Sequence, residues 1–423
     1  MSDYRDLWQS LNMDLERHDL LCAALPSLYE EVYLNQPGRP QGMNYFNAVI
    51  AEIHGMRVAE LAEHRKQGGK VFGTFCVFVP TEIIRAAGGV AIGLCGGSQF
   101  WVPDGEKVLP RTVCPLIKAS VGAKISRTCP YFESSDMLVG ETTCDDKKKA
   151  WEILNEYIPT YVMELPQMKR EKDRQAWIEE VGIFKGTVEK ITGKKIEREH
   201  LREAIRVENA KRKALKRLYS FRKNDPVPIS GKDALLVTQI AFYDDPQRFV
   251  ERTEELCSEL EERVTSGYGV FKNGAPRIVI AGSPQAIPNW KLHHLIETSG
   301  AVVVCEETCT GTRYFEHLVQ EEGETLEELL VNLANRYFQI NCACFTPNHE
   351  RVEDILRLVH EYRADGVIHY NLSFCQPYSI EAARVEKALK AKGIPCLRIE
   401  TDYSEEDIEQ IRTRIEAFLE VVR

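Results

Sequence analysis

The sequence predicts an α/β protein with two doubly wound parallel-sheet domains, a helical segment in front of them and a helical insert between them. Three observations carry this. Short β-branched runs alternate with helix-forming stretches from residue 66 to 166, and the alternation resumes at about residue 276. Residues 167–275 have no strand pattern and are rich in charged helix formers. The chain has 423 residues, 43% of them hydrophobic, enough for two or three domains with their own cores at roughly 150 residues each.

Taken in order, residues 1–65 read as helical, with a polar, proline-punctuated loop from Asn35 to Met43 between two amphipathic stretches. From residue 66 the period changes. VFGTFCVF (71–78) is a buried-strand run, and Pro80-Thr81-Glu82 opens a helix that Gly88-Gly89 stops. VAIGL and MLVGETT (137–143) are further strands, DDKKKAWEIL is a helix with acids in its first turn, and TYVMELP (160–166) is a strand. Residues 66–166 are therefore expected to form the first sheet domain and 167–275 the insert. In residues 276–423, PRIVIAG, AVVVCEE, DGVIHYNLSF and CLRIETD are strands. Between them come a helix from Asn289 to Gly300, one opened by the capping box Thr325 to Glu328, and one from Ser379. A last helix carries Ile408, Ile411, Ile415, Phe418 and Leu419. Both halves fit a flavodoxin- or Rossmann-like unit, with no repeat at the level of residues.

Composition excludes several roles. The first twenty residues lack an apolar core and a cleavage site, so a cytoplasmic location is expected. No apolar run approaches the ~20 residues needed to span a bilayer, and a net charge of −10 argues against nucleic acid as a partner. Thirteen cysteines, an odd number, in a chain this long point to metal or redox chemistry over a disulfide scaffold.

In an open parallel sheet ligands bind at the carboxyl ends of the strands, so the cysteines sort by position. Cys76 follows VFGTF, Cys144 follows MLVGETT and precedes Asp145 at a helix start, Cys309 lies just past AVVVCEE, and Cys375 ends IHYNLSF ahead of Ser379. A helix N-terminus lowers a thiol pKa and favours the thiolate a metal requires. Cys114 and Cys129, each followed by proline, and the pair Cys342 and Cys344 sit in loops that could reach the same edge. Cys22 and Cys257 read as packing residues on apolar helix stripes, Cys95 and Cys396 as packing, and Cys305 is open. Zinc would need C-x2-C pairs or neighbouring histidines, and neither occurs. Long spacings from separate loops suit an iron–sulfur cluster in an interdomain cleft.

Other chemistries fail on spacing. GTVEKITGKK is not a P-loop, and G-x-S-x-G, H-E-x-x-H and G-x-G-x-x-G are absent. The basic run LREAIRVENAKRKALKRLYSFRK reads as a solvated helix face, with docking of an acidic partner or a nucleotide-bearing substrate as the sharper alternative. His369 reads as a core residue.

The segments FCVFVPTEIIRAAGGVAIGLCGG, LPRTVCPLIKASVG, DMLVGETTCDDKKKAWEIL, CEETCTGTRYF, CACFTPNHER, DGVIHYNLSFCQPYSIE and GIPCLRIETDYS resemble the 2-hydroxyacyl-CoA dehydratase and benzoyl-CoA reductase superfamily, and within it the double-cubane cluster proteins. In dehydratase-type relatives three cysteines hold one 4Fe-4S cluster, and the matching positions are Cys114, Cys144 and Cys375. The additional Cys76, Cys129, Cys309 and Cys344 fit the double-cubane branch, in which six cysteines hold an 8Fe-9S cluster. The resemblance implies an iron–sulfur oxidoreductase, a homodimer, that reduces a small-molecule substrate with electrons from a separate ATP-hydrolysing 4Fe-4S activator. Glu307 and Glu141, beside cluster cysteines, are the expected proton donors. Two other readings remain: a 4Fe-4S subunit of an acyl-CoA dehydratase or aryl-CoA reductase, and a non-catalytic iron–sulfur carrier.

Overall fold

Eight short strands assemble into two four-stranded parallel sheets in the computed structural model, which describes residues 4–422. The first contains β1 (Val71–Thr74), β2 (Val90–Gly93), β3 (Met137–Glu141) and β4 (Thr160–Met163) in the order β2-β1-β3-β4. The second contains β5 (Arg277–Gly282), β6 (Val302–Glu307), β7 (Gly366–Leu372) and β8 (Cys396–Thr401) in the order β6-β5-β7-β8. The two orders are the same permutation, the flavodoxin one, so the shared sequence of elements is also a shared topology. In each sheet the strand order reverses at one switch point, β1/β3 or β5/β7, and it is there that such folds open a crevice. β5, β6 and β7 are buried at every residue, including the polar Arg277, Glu306, Glu307, His369 and Asn371.

The strand expected over 71–78 stops at Thr74. Cys76 has φ +57°, a conformation a non-glycine residue rarely adopts, and it turns the chain off the carboxyl edge of the sheet. The helix expected from Ser379 begins earlier, over Gln376–Ala391, because Pro377 is already shaped for a first turn. Cys375 therefore caps it directly. The Thr325 capping box forms as read: the Thr325 hydroxyl accepts from the Glu328 amide at 3.1 Å, ahead of the helix Leu326–Phe338.

Between β4 and β5 the described residues form helices Glu171–Thr192, Arg198–Phe221, Gly231–Ile240 and Pro246–Thr265 and no strand. The basic run on the second of these is not a solvated face throughout. Arg212 donates to Glu82 at 2.6 Å, and Tyr337 donates to the other oxygen of Glu82 at 2.8 Å. Arg222, just past the helix, grips Glu306 of β6 through two bonds of 2.7 Å, and Tyr219 donates to the same carboxylate at 2.6 Å. The carboxylates come from segments remote in sequence, so the charge pattern of the helix alone could not show them. Their effect is to fasten one long helix both to the Thr81–Ala86 helix that follows β1 and to β6 of the second sheet.

Candidate metal centre

Three helices start at the crevice, each with a cysteine as its N-cap. Cys114 caps Pro115–Ile125, Cys144 caps Asp145–Leu154 and Cys375 caps Gln376–Ala391. The Cys-Pro pair at Cys114, read as a loop, is a helix start with proline in its first turn. Asp146 Oδ2 accepts from the Cys114 amide at 3.0 Å and so ties two of these starts together. Three helix N-termini direct partial positive charge at one place, which suits an anionic occupant.

Cys76, in its left-handed turn after β1, brings its sulfur to 3.7 Å from that of Cys309, just past β6. Cys342 and Cys344 enter from the turn between the Leu326–Phe338 and His349–Glu361 helices. Seven thiols, from Cys76, Cys114, Cys144, Cys309, Cys342, Cys344 and Cys375, line a single cavity of about 390 Å³. A water molecule's share of liquid is about 30 Å³, so the space far exceeds one ion.

Six of the seven thiols fall into three neighbouring pairs. Contact with Cys309 holds Cys76 below the usual thiol range, while Cys309 itself is pushed up. Cys344 does the same for Cys342, and Cys114 for Cys375. Burial pushes Cys144 up to about 12. A cation would replace those protons with its own charge.

Around this shell lie residues that no sequence signal assigned. Lys147, on the first turn after Cys144, lines the cavity and pairs with the buried Glu141 carboxylate. Burial lowers the affinity of Lys147 for its proton, but the neighbouring Cys76 and Glu141 more than restore it, and the group stays cationic. Burial pushes Glu141 up to about 8 in spite of Lys147. Lys147 also faces a smaller cavity of about 90 Å³, lined by Thr74, Cys76, Cys95, Gln239 and Phe242 among others. Arg313 lies 3.5 Å from the Cys309 sulfur, and the Tyr378 hydroxyl 3.3 Å from that of Cys342. Each was visible as part of a quoted motif, TTCDDKKK, CTGTRYF or FCQPY, without a sign of which way it would face.

Two expected site residues lie elsewhere. Cys129 caps the short helix Pro130–Ser134, which leads into the amino end of β3, where Asp136 accepts from the Val71 amide at 2.8 Å. That is the opposite edge of the sheet, and Cys129 packs in the core with Tyr131 and Phe132. Glu307 does not line the cavity. Its carboxylate accepts from Arg351 at 2.9 Å and lies 2.9 Å from Arg313, a clamp that leaves it a positioning role. Arg351 goes on to pair with Glu381, and Asn348 joins Glu381 to the backbone oxygen of Cys342 at 3.0 Å. Cys342 takes the place expected for Cys129. Cys305 is buried within β6, and Cys257 and His369 are buried too.

The fold and the cavity define a two-sheet α/β protein with a cysteine-rich cleft, and comparison with known proteins places it further. The family described as 2-hydroxyglutaryl-CoA dehydratase, D-component, matches residues 76–422. A protein of Escherichia coli K12 named as a dehydratase subunit, YjiM, is 37% identical over 361 residues, 85% of this chain and 93% of that one. The (R)-phenyllactyl-CoA dehydratase beta subunit of Clostridium sporogenes is 25% identical over 371 residues, 86% of this chain and 94% of its own. One of the benzoyl-CoA reductase subunits of Thauera aromatica is 22% identical over 363 residues, covering 84% of this chain and 91% of its own. The chain belongs to the 2-hydroxyglutaryl-CoA dehydratase D-component family, within the superfamily of 2-hydroxyacyl-CoA dehydratases and benzoyl-CoA reductases. Among the described residues no helix is long and apolar enough to cross a membrane.

Proposed function

We propose that this protein is the iron–sulfur component of a two-part reductase, holding an 8Fe-9S double-cubane cluster in its thiol-lined cleft. The observation that carries the reading is the convergence of seven cysteines, drawn from the carboxyl edges of both sheets, on one cavity. The donor set fits such a group, because iron–sulfur cubanes are held by cysteine thiolates and seven thiols exceed what one cubane needs. Six of Cys76, Cys114, Cys144, Cys309, Cys342, Cys344 and Cys375 would be its ligands. When bound, the cluster would supply electrons at low potential. The segments 66–166 and 276–423 then act as the two cluster-binding domains, with 1–65 and 167–275 as helical additions.

The chain's own residues support proton supply to a reduced substrate. Lys147 holds its ammonium at the cavity wall, where it offsets thiolate charge and presents Nζ–H to a reduced substrate. Glu141, which burial pushes up, contacts Nζ directly behind it and can return a proton to Lys147. The smaller cavity on the other side of Lys147 has room for a few heavy atoms, so the substrate is a small molecule. The chain shows no nucleotide motif, and low-potential electrons would come from a separate ATP-hydrolysing 4Fe-4S activator acting on a cytoplasmic homodimer.

Iron and sulfide content after anaerobic purification tests this: about eight irons and nine sulfides per chain are expected for the coupled cluster, and about four irons would overturn it. A second reading, a 4Fe-4S subunit of an acyl-CoA dehydratase or reductase, is favoured by the three helix-capping cysteines and by the names of the relatives. It expects that lower iron content together with tight binding of an acyl-CoA. A carrier without catalysis would show the full cluster and no turnover of any small unsaturated compound with activator and ATP.

A further inference from the structure

A second group of potential metal ligands lies outside the cleft, in the N-terminal helices. His18 and Cys22 are four residues apart on the Leu15–Tyr29 helix and so share one face. His54 comes from the turn between the Met43–Ala51 and Met56–Lys66 helices. His18 Nε2 and His54 Nδ1 are 2.9 Å apart, and the Cys22 sulfur is 3.5 Å from the first and 3.9 Å from the second. All three ligand atoms fall within 4.8 Å of one another. We propose that His18, Cys22 and His54 bind one zinc ion.

The donor chemistry selects the metal. Two imidazoles and a thiol, with no oxygen donor, suit a borderline-soft cation and not calcium or magnesium. With bonds of ~2.0 Å to nitrogen and ~2.3 Å to sulfur, tetrahedral ligands stand ~3.3–3.6 Å apart, so the imidazoles need separate by only a few tenths of an ångström. A hydrogen bond between the two rings accounts for their approach but not for the thiol that meets them at the same point. A neutral imidazole offers one lone pair, so on binding the N–H that bridges the two rings shifts to the other nitrogen of its ring. On binding, Cys22 releases its proton to solvent and coordinates as the thiolate.

The surroundings hold the ligands in place. Trp8 donates through Nε1 to the backbone oxygen of His54 at 2.7 Å and lays its ring edge against His18, 4.3 Å between centroids. Cys22 and His54 also border a cavity of about 120 Å³ walled by Leu25, Ile53, Trp101 and Ile287, with room for a fourth, non-protein ligand. The ion would pin the N-terminal helix to the turn before the first sheet.

The full chain, purified anaerobically with its iron retained, is desalted after addition of one equivalent of zinc, and metal content is measured beside zinc K-edge X-ray absorption. Expected is about one zinc per chain with two nitrogen and one sulfur scatterers, retention falling at least tenfold in Cys22→Ser and in His54→Gln while iron is unchanged. Zinc that does not remain on the wild-type chain, that remains equally on both variants, or that shows an all-sulfur shell from the cleft overturns the proposal. Since the absorption spectrum is read on wild-type protein, a variant that fails to fold leaves the test intact.

Discussion

The sulfur atoms of Cys76 and Cys309 lie 3.7 Å apart although 233 residues separate them. Cys76 reaches this position by a left-handed turn after β1, and Cys309 lies just beyond β6, an edge strand of the other sheet. The pair marks where the carboxyl edges of two separately wound sheets face each other.

That geometry separates Cys342 from Cys129. Cys342→Ala should lower iron content by about half or more, because a cubane needs its thiolates. Cys129→Ala, at the other end of the sheet, should keep full iron and cost only packing stability. Iron and sulfide analysis of the two purified variants makes the comparison, and equal loss in both would remove the distinction.

Lys147→Gln should retain the cluster and lose turnover by about a hundredfold or more, the usual scale for a positioned acid. Lys147→Arg keeps a positive charge at the wall and should recover part of the rate. Steady-state reduction with a generic activator and a small unsaturated substrate, alongside iron content, reads both effects.

Glu297 governs a different property. It is buried under the start of the Gly231–Ile240 helix, accepts from the Gly231 amide at 2.7 Å, and is pushed up to about 7 by burial, from 4.5. A folded value above the unfolded one means that its contribution is full below about pH 4.5 and lost as pH rises through 7. The stability of Glu297→Gln relative to wild type should therefore grow by ~3 kcal/mol between those limits. Thermal melts at a series of pH values measure it, and a flat difference contradicts it.

Gly122 is a contact point of the helix that presents Cys114. A Cβ there would stand 1.9 Å from the backbone oxygen of Trp101 and 2.8 Å from the amide of Gly105, neither of which can yield cheaply. Gly122→Ala should cost about 1–3 kcal/mol and reduce iron loading by shifting Cys114. The melting temperature and iron content of the variant test this together.

Much of the architecture was legible in the chain. Largely apolar runs such as RIVIAG and GVIHYNL marked strands, and the Thr325 box marked a helix start, because these signals depend on neighbours a few residues away. Strand and helix ends were less secure where a special backbone intervened, as at Cys76, or where a proline moved a cap forward, as at Cys375.

What the sequence by itself determined is the kind of chemistry: an excess of cysteines at strand ends in a double α/β fold, with motifs that match one superfamily. What only the tertiary structure decided is which side chains meet. Cys114 and Cys129 are both followed by proline and both cap helices, yet one helix starts at the carboxyl edge of the sheet and the other leads into its amino edge. Glu307, beside a cleft cysteine in sequence, is clamped by arginines, and Lys147 faces the cleft in its stead. His54 reaches His18 and Cys22 across 36 and 32 residues. Local sequence sets the conformation at each cap and turn, but the direction in which a side chain faces depends on how distant elements pack, and no spacing along the chain encodes that.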